Sequence, residues 1–363
     1  GYLSVVKYYV TELAETYKNR GEIGLQASTM LNLGILCYNR GKWEDAIEAY
    51  KTTSLLAHSI QDKRLESSVL NAIGAIHREL GNNDEAISYF EKSLDLSDHL
   101  NDKRIKAGLI NNLGLMYMSL GKNDIALQYF CDAIKIFNQN NDLQGEAMVS
   151  SNIGDVYIST RDYKSAIKYY EESIKYFAKL GNKSEQASLI NNVGTLFEQI
   201  EEIDKALQYY KDALALEHEI GNFLEQSRTL RNIAVVQTTK KNWTESANAC
   251  IESFQIAVQL HANTVIDSLK NILNVIKIIL KSGELAAPIQ LGIELMYFIK
   301  KVEIQDDDMR AAVAISEGIF TIIGFITACG WDKTSDVYKE ALELAKSLDE
   351  NTGSALKLVE WLD

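Results

Sequence analysis

The stretch NNLGLMYMSLGKNDIALQYF, residues 111–130, decides the fold, because the chain repeats its pattern every 40 residues. A fixed period of this length is typical of repeat proteins, in which each unit buries its apolar face against its neighbours. The sequence therefore predicts a stack of equivalent units. Counterparts of the opening phrase Asn-Asn-Leu-Gly stand in strict register at residues 31–34, 71–74, 151–154, 191–194 and 231–234.

Each unit is predicted to be a pair of antiparallel helices. Apolar residues between 103 and 140 recur at helical spacing on two successive segments. Gly121 separates these segments, and glycine takes the left-handed conformation that ends a helix without steric cost. We expect the residues after it, Asn123 and Asp124, to cap the second helix.

The second helix of each unit carries a small residue and then, one turn later, an aromatic residue. A small residue lets two helices approach closely, and we expect the ring to fill the gap between adjacent units. The small positions are Ala46, Ala86, Ala126, Ala166 and Ala206, and the aromatic positions are Tyr50, Phe90, Phe130, Tyr170 and Tyr210.

This combination of glycine, alanine and aromatic positions resembles the tetratricopeptide repeat (TPR) family over nearly the entire chain. The commonest period of that family is 34 residues, and the period of 40 is similar to the long-repeat subgroup of kinesin light chain and the LGN/Pins adaptors. The resemblance implies an all-α, right-handed superhelical solenoid of antiparallel helix pairs. We expect about seven to eight repeats with a C-terminal capping helix.

The phase of the repeat predicts three regions, because Gly21 aligns with the glycines that end later repeats. An apolar stretch, Ala311 to Cys329, approaches the length of a membrane span, but its polar residues and the acidic run before it favour a buried capping helix. The regions are 1–22, the second helix of a truncated preceding repeat; 23–262, six regular repeats; and 263–363, degenerate repeats and the capping helix.

Charge and cysteine content narrow the function. The chain has 50 acidic and 37 basic residues, a net charge of −13, which argues against nucleic acid as the main ligand and suits a basic or mixed protein partner. We expect no membrane association and a cytoplasmic location, with the scattered cysteines reduced and in the core. These cysteines are Cys37, Cys131, Cys250 and Cys329.

Catalysis finds little support in the residues. The five histidines are not spaced as metal ligands, and neither a phosphate-binding glycine loop nor a nucleophile elbow is present. We therefore expect no enzyme activity, no cofactor and no metal. The histidines are His58, His77, His99, His218 and His261, of which His77 replaces a repeat aromatic and is expected in the core.

Asparagines recur two residues before the repeat glycine position, although asparagine is a poor helix former. Either their side chains bond a neighbouring carbonyl or the next unit, or they bind the main chain of an extended peptide. The resemblance implies the second role, because this position lines the inner groove in the TPR family. It resembles the asparagines that clamp a peptide in the sugar-transferase and LGN/Pins members. These residues are Asn32, Asn112, Asn152, Asn192 and Asn232.

Neighbouring positions on the same face would supply specificity. We expect Arg78, Arg228 and Arg231 to pair with acidic side chains of a ligand, since the guanidinium fork fits a carboxylate. The predicted peptide-binding set is Asn32, Asn71, Asn111, Asn112, Asn152, Asn191, Asn192, Asn232, Arg78, Arg231 and Asp155.

Three functions are compatible with this pattern. The favoured one is a protein–protein interaction scaffold that binds an extended peptide or protein segment in the concave groove. The first alternative is the sensor or regulatory arm of a larger signalling, protease or ATPase assembly. The lesser alternative is a receptor for a short signalling peptide, resembling the bacterial Rap-type regulators. The oligomeric state stays open.

Overall fold

The computed structural model describes residues 2–98, 100, 102–260 and 262–281, together with 339, 341–343 and 345–346. Within these residues the regular structure is α-helix, as predicted. The helices are α1 (Tyr2–Arg20), α2 (Ile23–Asn39), α3 (Trp43–Ser59), α4 (Lys63–Glu79), α5 (Asn83–Asp98), α6 (Lys103–Ser119), α7 (Asn123–Gln139), α8 (Leu143–Ser159), α9 (Tyr163–Leu180), α10 (Lys183–Gln199), α11 (Ile203–Glu219), α12 (Phe223–Thr239), α13 (Trp243–Val258) and α14 (Ala262–Lys281).

The helices α2 to α13 form six consecutive pairs whose bounds follow the 40-residue period. Each pair packs most extensively within itself, as α6 does on α7, and a second helix such as α7 also packs on the first helix of the next pair. The chain divides into two compact units, Gly1–Leu180 and Gly181–Asp363. The first unit contains α1 to α9, and the described part of the second contains α10 to α14.

Several predictions for the C-terminal region lie outside the described residues. These are most of the degenerate repeats beyond residue 281, the capping helix and the apolar stretch Ala311 to Cys329. Of this part of the chain, residues 339, 341–343 and 345–346 are described, and they are helical. Among the helices that the structure describes, none combines the length and apolar character needed to cross a membrane.

The repeat glycine is a contact point for the aromatic ring of its own repeat. A Cβ atom added at Gly114 would lie 2.6 Å from Cε1 of Phe130, well inside contact distance. The other four glycine–ring pairs give 2.4–2.8 Å. The ring also lies in a buried cluster with apolar residues of the next repeat, as Phe90 does with Leu113 and Met116, so it fills the space between units as expected. The other pairs are Gly34–Tyr50, Gly74–Phe90, Gly154–Tyr170 and Gly194–Tyr210.

The sixth repeat uses a different pair of residues at these two positions. Ala234 replaces the glycine and Cys250 replaces the ring, and both are fully buried. Because a thiol is much smaller than an aromatic ring, the methyl group of Ala234 fits where it would be excluded in the other repeats. The two positions are thus matched in volume.

The turns between helices follow the glycine prediction. Gly41, Gly81 and Gly121 have φ values of 66°, 75° and 70°, in the left-handed region that ends a helix. Other turns place a residue with a side chain at the same point, with φ of 53–62°. This conformation costs free energy for any residue that carries a Cβ. These residues are Gln61, Asn141, Arg161, Glu201 and Lys241.

The prediction that Asn123 and Asp124 cap the second helix is wrong. Helix α7 already begins at Asn123, and its N-cap residue, Lys122, makes no side-chain capping bond. Before the second helix α9, Asp162 Oδ1 accepts the backbone N–H of Ser165. The other capping side chains precede the first helices, where each accepts a backbone N–H from the first turn. They are Asp62, Asp102, Asp142, Asn182 and Asn222.

Candidate functional site

The predicted asparagines lie on the first helices of the repeats. We call the side of α4, α6 and α8 in the first unit that carries them, and the matching side of α10 and α12 in the second unit, the amide face. First helices of consecutive repeats contact each other within a unit, as α6 contacts α8 and α10 contacts α12. Side chains on neighbouring first helices therefore come within reach of one another.

Asparagine side chains on this face form hydrogen-bonded pairs between consecutive repeats. In each pair, the asparagine two residues before a glycine position donates from Nδ2 to the Oδ1 of an asparagine in the preceding repeat. Two adjacent sequence positions therefore act together. The structure thus contains the first of the two predicted roles, in which an asparagine side chain bonds the neighbouring unit. The bonds are Asn112 to Asn71 at 2.8 Å, Asn152 to Asn111 at 2.8 Å and, in the second unit, Asn232 to Asn191 at 3.1 Å.

The members of these pairs differ in exposure. Asn111 and Asn191 are buried, with 6% and 1% of their surface exposed, so their main role is to accept the bond from the next repeat. The remaining paired asparagines are half-buried, as is Asn192, and Asn32 on α2 is exposed.

The pairs use only part of the hydrogen-bonding capacity of the amides. A primary amide has two N–H donors and a carbonyl oxygen with two lone pairs. Asn112 and Asn152 each spend one N–H on the preceding repeat, which leaves an N–H and the carbonyl oxygen on a half-buried side chain. An extended peptide backbone offers the complementary C=O and N–H groups.

The arginines expected to bind acidic ligand groups lie beside carboxylates of their own chain. Arg78 Nη2 lies 3.1 Å from Oε1 of its neighbour Glu79. In the second unit, Arg228 Nη1 lies 3.0 Å from Oε2 of Glu225. Partial burial lowers the pKa of Arg231, and its Nη1 atom is buried without a hydrogen bond in the described part of the chain.

Asp155, the predicted acidic site residue, is held by a tyrosine from the second helix of its repeat. The buried Tyr170 hydroxyl donates to Asp155 Oδ1. Loss of water around the carboxylate raises the pKa of Asp155, although the bond from Tyr170 opposes this shift. Burial, followed by the bond to Asp155, raises the pKa of Tyr170 far above its ordinary value.

The second unit contains a related arrangement that the sequence did not predict. The Tyr210 hydroxyl donates to Glu198 Oε2 and lies 3.1 Å from Thr195 Oγ1. Sequence reasoning treated the aromatic position only as packing. The available signal was the change from Phe90 and Phe130 to tyrosine in the fourth and fifth repeats.

Histidine and cysteine positions partly follow the predictions. His77 is half-buried and stacks on Tyr89, with ring centroids 5.4 Å apart, and burial lowers its pKa. Cys37 and Cys250 are buried, as expected, but Cys131 is exposed, so its placement in the core is wrong. Cys131 lies on the outward side of α7, beside Gln128 and Lys135. Cys329 lies outside the described residues.

A cleft of about 890 Å³ lies at the loop ends of the first unit, among residues 100, 102–104 and 140–144. Its charged groups already pair with each other, since Arg104 Nε lies 2.9 Å from Asp142 Oδ2 and Arg64 pairs with Asp102. Within the described residues, no group of three potential metal ligands comes together.

The stacked helix pairs, with their glycine–ring contacts and paired amides, define a helical repeat protein. The family model described as Tetratricopeptide repeat matches residues 25–99, 65–139, 106–179 and 145–216, which together exceed half of the chain. The chain belongs to the tetratricopeptide repeat family. Repeats of this family generally mediate protein–protein interactions.

Solved structures with the same fold have low sequence identity to this chain. BtubC (BKLC) from P. vanneervenii aligns with a TM-score of 0.52 and 19% identity, over 60% of this chain and 88% of that one. A signal transduction ATPase with a tetratricopeptide repeat sensor from Pyrococcus horikoshii gives 0.56 and 14%, over 93% and 50%. Aspartyl phosphate phosphatase F from Bacillus subtilis gives 0.57 and 13%, over 80% and 76%. None of the curated proteins matches this chain.

Proposed function

We propose that the chain is a protein–protein interaction scaffold that binds an extended segment of another protein along the amide face. Its family supports interaction with proteins, and the spare amide groups support recognition of a peptide main chain. First helices of neighbouring repeats stack about 10 Å apart, and an extended chain advances about 3.3 Å per residue. Successive amides would therefore meet about every third residue of the ligand.

The observation that carries this proposal is the unused capacity of Asn112 and Asn152. Each keeps an N–H and a carbonyl oxygen on a half-buried side chain while its other N–H holds the preceding repeat. Because both bonds fix the side-chain orientation, the free groups need little further ordering when a ligand binds. Such contacts give affinity for backbone without strong sequence preference.

The same reasoning gives the remaining parts of the proposal. We place the protein in the cytoplasm, where the free thiols of Cys37, Cys131 and Cys250 stay reduced. The partner is a protein rather than nucleic acid, because the net charge is −13. We assign no catalytic activity to these residues. The sensor-arm alternative would use the same face, with the bound segment supplied by an effector or another domain.

The test is affinity capture from the native source with wild type, an Asn112→Ala/Asn152→Ala variant and an Asp142→Ala control. The control matters because the amides also join repeats, and Asp142 caps α8 at a distance from the amide face. We expect a partner to be lost from the double variant and retained by the control at a similar loss of stability. Equal recovery by all three proteins would contradict the proposal.

A further inference from the structure

We propose that the amide face of the first unit recognises a lysine or arginine side chain of its ligand at Asp155. This inference rests on the proposed function and specifies, in addition, that one side chain of the ligand is positively charged. It differs from the expectation drawn from the arginines, two of which, Arg78 and Arg228, lie beside carboxylates of their own chain.

The bond between Asn111 and Asn152 fixes which residues of α6 and α8 lie opposite each other. One helical turn further along, Leu115 on α6 and Asp155 on α8 occupy the matching positions, since residues three or four apart share a helix face. Leu115 is half-buried, and Asp155 keeps exposed surface although neighbouring atoms displace part of the water from its carboxylate and raise its pKa. A carboxylate beside an apolar surface suits a side chain with a hydrocarbon stem and a cationic head.

The next turn extends the apolar part of this surface. Met118 on α6 and Ile158 on α8 are half-buried, and Met148, two turns before Asp155, is 47% exposed. Unbranched and flexible methionine side chains adapt well to a bound partner. The stem of lysine or arginine would lie along these residues while its head reaches Asp155.

Tyr170 positions the carboxylate. Its ring is buried against Gly154, and its hydroxyl reaches Asp155 on the first helix of the same repeat. In the second and third repeats the ring is phenylalanine, and the residue corresponding to Asp155 is Ala75 or Leu115. In the first repeat the ring is Tyr50 and the corresponding residue is Ile35, so within this unit the fourth repeat is where hydroxyl and carboxylate occur together.

Asp155 also lacks an intrachain cation, unlike two aspartates at the loop ends of the same unit. Asp102 pairs with Arg64 and Asp142 with Arg104, whereas no lysine or arginine of the described residues forms an ion pair with Asp155. The loss of water that raises its pKa makes the ionised form unfavourable for folding. A carboxylate in this position gains free energy when a ligand brings the missing positive charge.

The second unit gives an independent example of a carboxylate bound by the tyrosine hydroxyl of its own repeat. Tyr210 lies against Gly194, as Tyr170 lies against Gly154, and its hydroxyl holds Glu198 on α10. Within the described residues, Glu198 also has no ion pair with a lysine or arginine. In both units, therefore, a buried tyrosine hydroxyl on a second helix donates a hydrogen bond to a carboxylate on the first helix of the same repeat.

The competing explanation is that Asp155 serves only as the acceptor for a buried hydroxyl. Asp155→Asn separates the two, because the asparagine oxygen still accepts from Tyr170 while the charge is removed. The cation-binding role predicts lost selectivity with unchanged or higher stability. The acceptor-only role predicts that the selectivity for ligands is unchanged.

The experiment uses a soluble pool of random twelve-residue peptides, passed over the immobilised full chain at physiological salt. The reference protein is Glu198→Gln, in which, among the described residues, Asp155 is the one remaining carboxylate bound by a buried tyrosine hydroxyl. The test protein combines Glu198→Gln with Asp155→Asn, and the peptides retained by each protein are identified by mass spectrometry. The matched control combines it with Asp132→Asn, which removes an equal charge from the exposed side of α7. We expect Asp155→Asn to reduce the enrichment of lysine and arginine over acidic residues roughly tenfold, while Asp132→Asn leaves it unchanged.

The outcomes distinguish failure of the Asp155 assignment from failure of peptide binding on the amide face. Peptides retained with equal lysine and arginine enrichment in both double variants would overturn the assignment of Asp155 and leave the amide-face proposal standing. Retention no greater than on a blank surface by the wild-type chain would overturn both. A large fall in the unfolding midpoint of Asp155→Asn would show a structural role and overturn the assignment. Tyr170→Phe removes only the hydroxyl that positions the carboxylate, so it should lower the selectivity for lysine and arginine less than Asp155→Asn does.

Discussion

At the scale of single residues, Glu217 is a buried carboxyl group in a position where other repeats have alanine, serine or phenylalanine. Only 1% of its surface is exposed, and Oε1 accepts a bond from Thr229 Oγ1 at 2.9 Å. Its other oxygen has no hydrogen-bond partner within the described residues. Burial raises the pKa of Glu217 to about 7, and the nearby Glu225 adds to the shift.

This pKa predicts a pH-dependent stability. A carboxyl group with a raised folded-state pKa stabilises the fold fully below its unfolded pKa of 4.5, and this contribution falls as the pH rises to about 7. Between pH 5.5 and 8 the loss is about 2 kcal/mol. We expect Glu217→Gln to be more stable than wild type at pH 8 by a margin that narrows by this amount at pH 5.5.

Urea unfolding of both proteins across this pH range measures the margin. A margin that stays constant with pH would show that Glu217 titrates near its ordinary pKa.

The repeat glycines give a second prediction at this scale. Gly114→Ala would force a Cβ to within 2.6 Å of the Phe130 ring, and overpacking of this kind costs about 1–3 kcal/mol. Gly108, on the same helix, has no atom within 4 Å of an added Cβ. Gly108→Ala should therefore stabilise the chain by up to about 1 kcal/mol, because alanine is the better helix former.

Thermal unfolding of the two variants provides the comparison. Equal effects of the two alanines, in either direction, would contradict the packing role of Gly114.

At the scale of helices and turns, five turns place a residue with a side chain in the left-handed conformation that glycine occupies elsewhere. Arg161, with φ of 61°, illustrates the strain. Arg161→Gly should stabilise the chain by about 0.5–1 kcal/mol, because relief of strain exceeds the added entropy of the unfolded glycine. Gly121→Ala, at a matching turn with φ of 70°, should destabilise by about 1 kcal/mol. Denaturant midpoints that move in the same direction for both variants would contradict this account of the turns.

The helix pairs and turn glycines were predictable because they depend on local periodicity and on a conformation that glycine alone adopts freely. The cap of α7 was misplaced because Asn123 is a good cap by residue type, whereas the helix already begins at Asn123 and its N-cap residue is Lys122. The amide pairs were only partly predictable. The position of Asn112 was visible in the sequence, but its bond to Asn71 joins residues 41 apart and depends on how two repeats stack. The tyrosine hydroxyl at Asp155 was missed because the ring appeared sufficient for packing.

At the scale of the whole molecule, each unit combines a stack held by paired amides with a face that keeps spare hydrogen-bonding groups. The net charge of −13 adds a long-range attraction for a basic ligand. We expect the association rate with such a ligand to fall steeply between low salt and about 0.5 M salt, while the dissociation rate changes less. Rates measured by surface plasmon resonance at several salt concentrations test this. A salt-independent association rate would show that charge does not steer the encounter.

The most direct test of the central claim is site-specific photo-crosslinking in the native source. A photoreactive amino acid is placed at Ser119, which is exposed on the first helix α6, and in a separate protein at Lys135 on the second helix α7. The account predicts that Ser119 crosslinks to one contiguous segment of a partner protein and that Lys135 gives no such adduct. Crosslinks to the partner from Lys135 and none from Ser119 would contradict binding on the amide face.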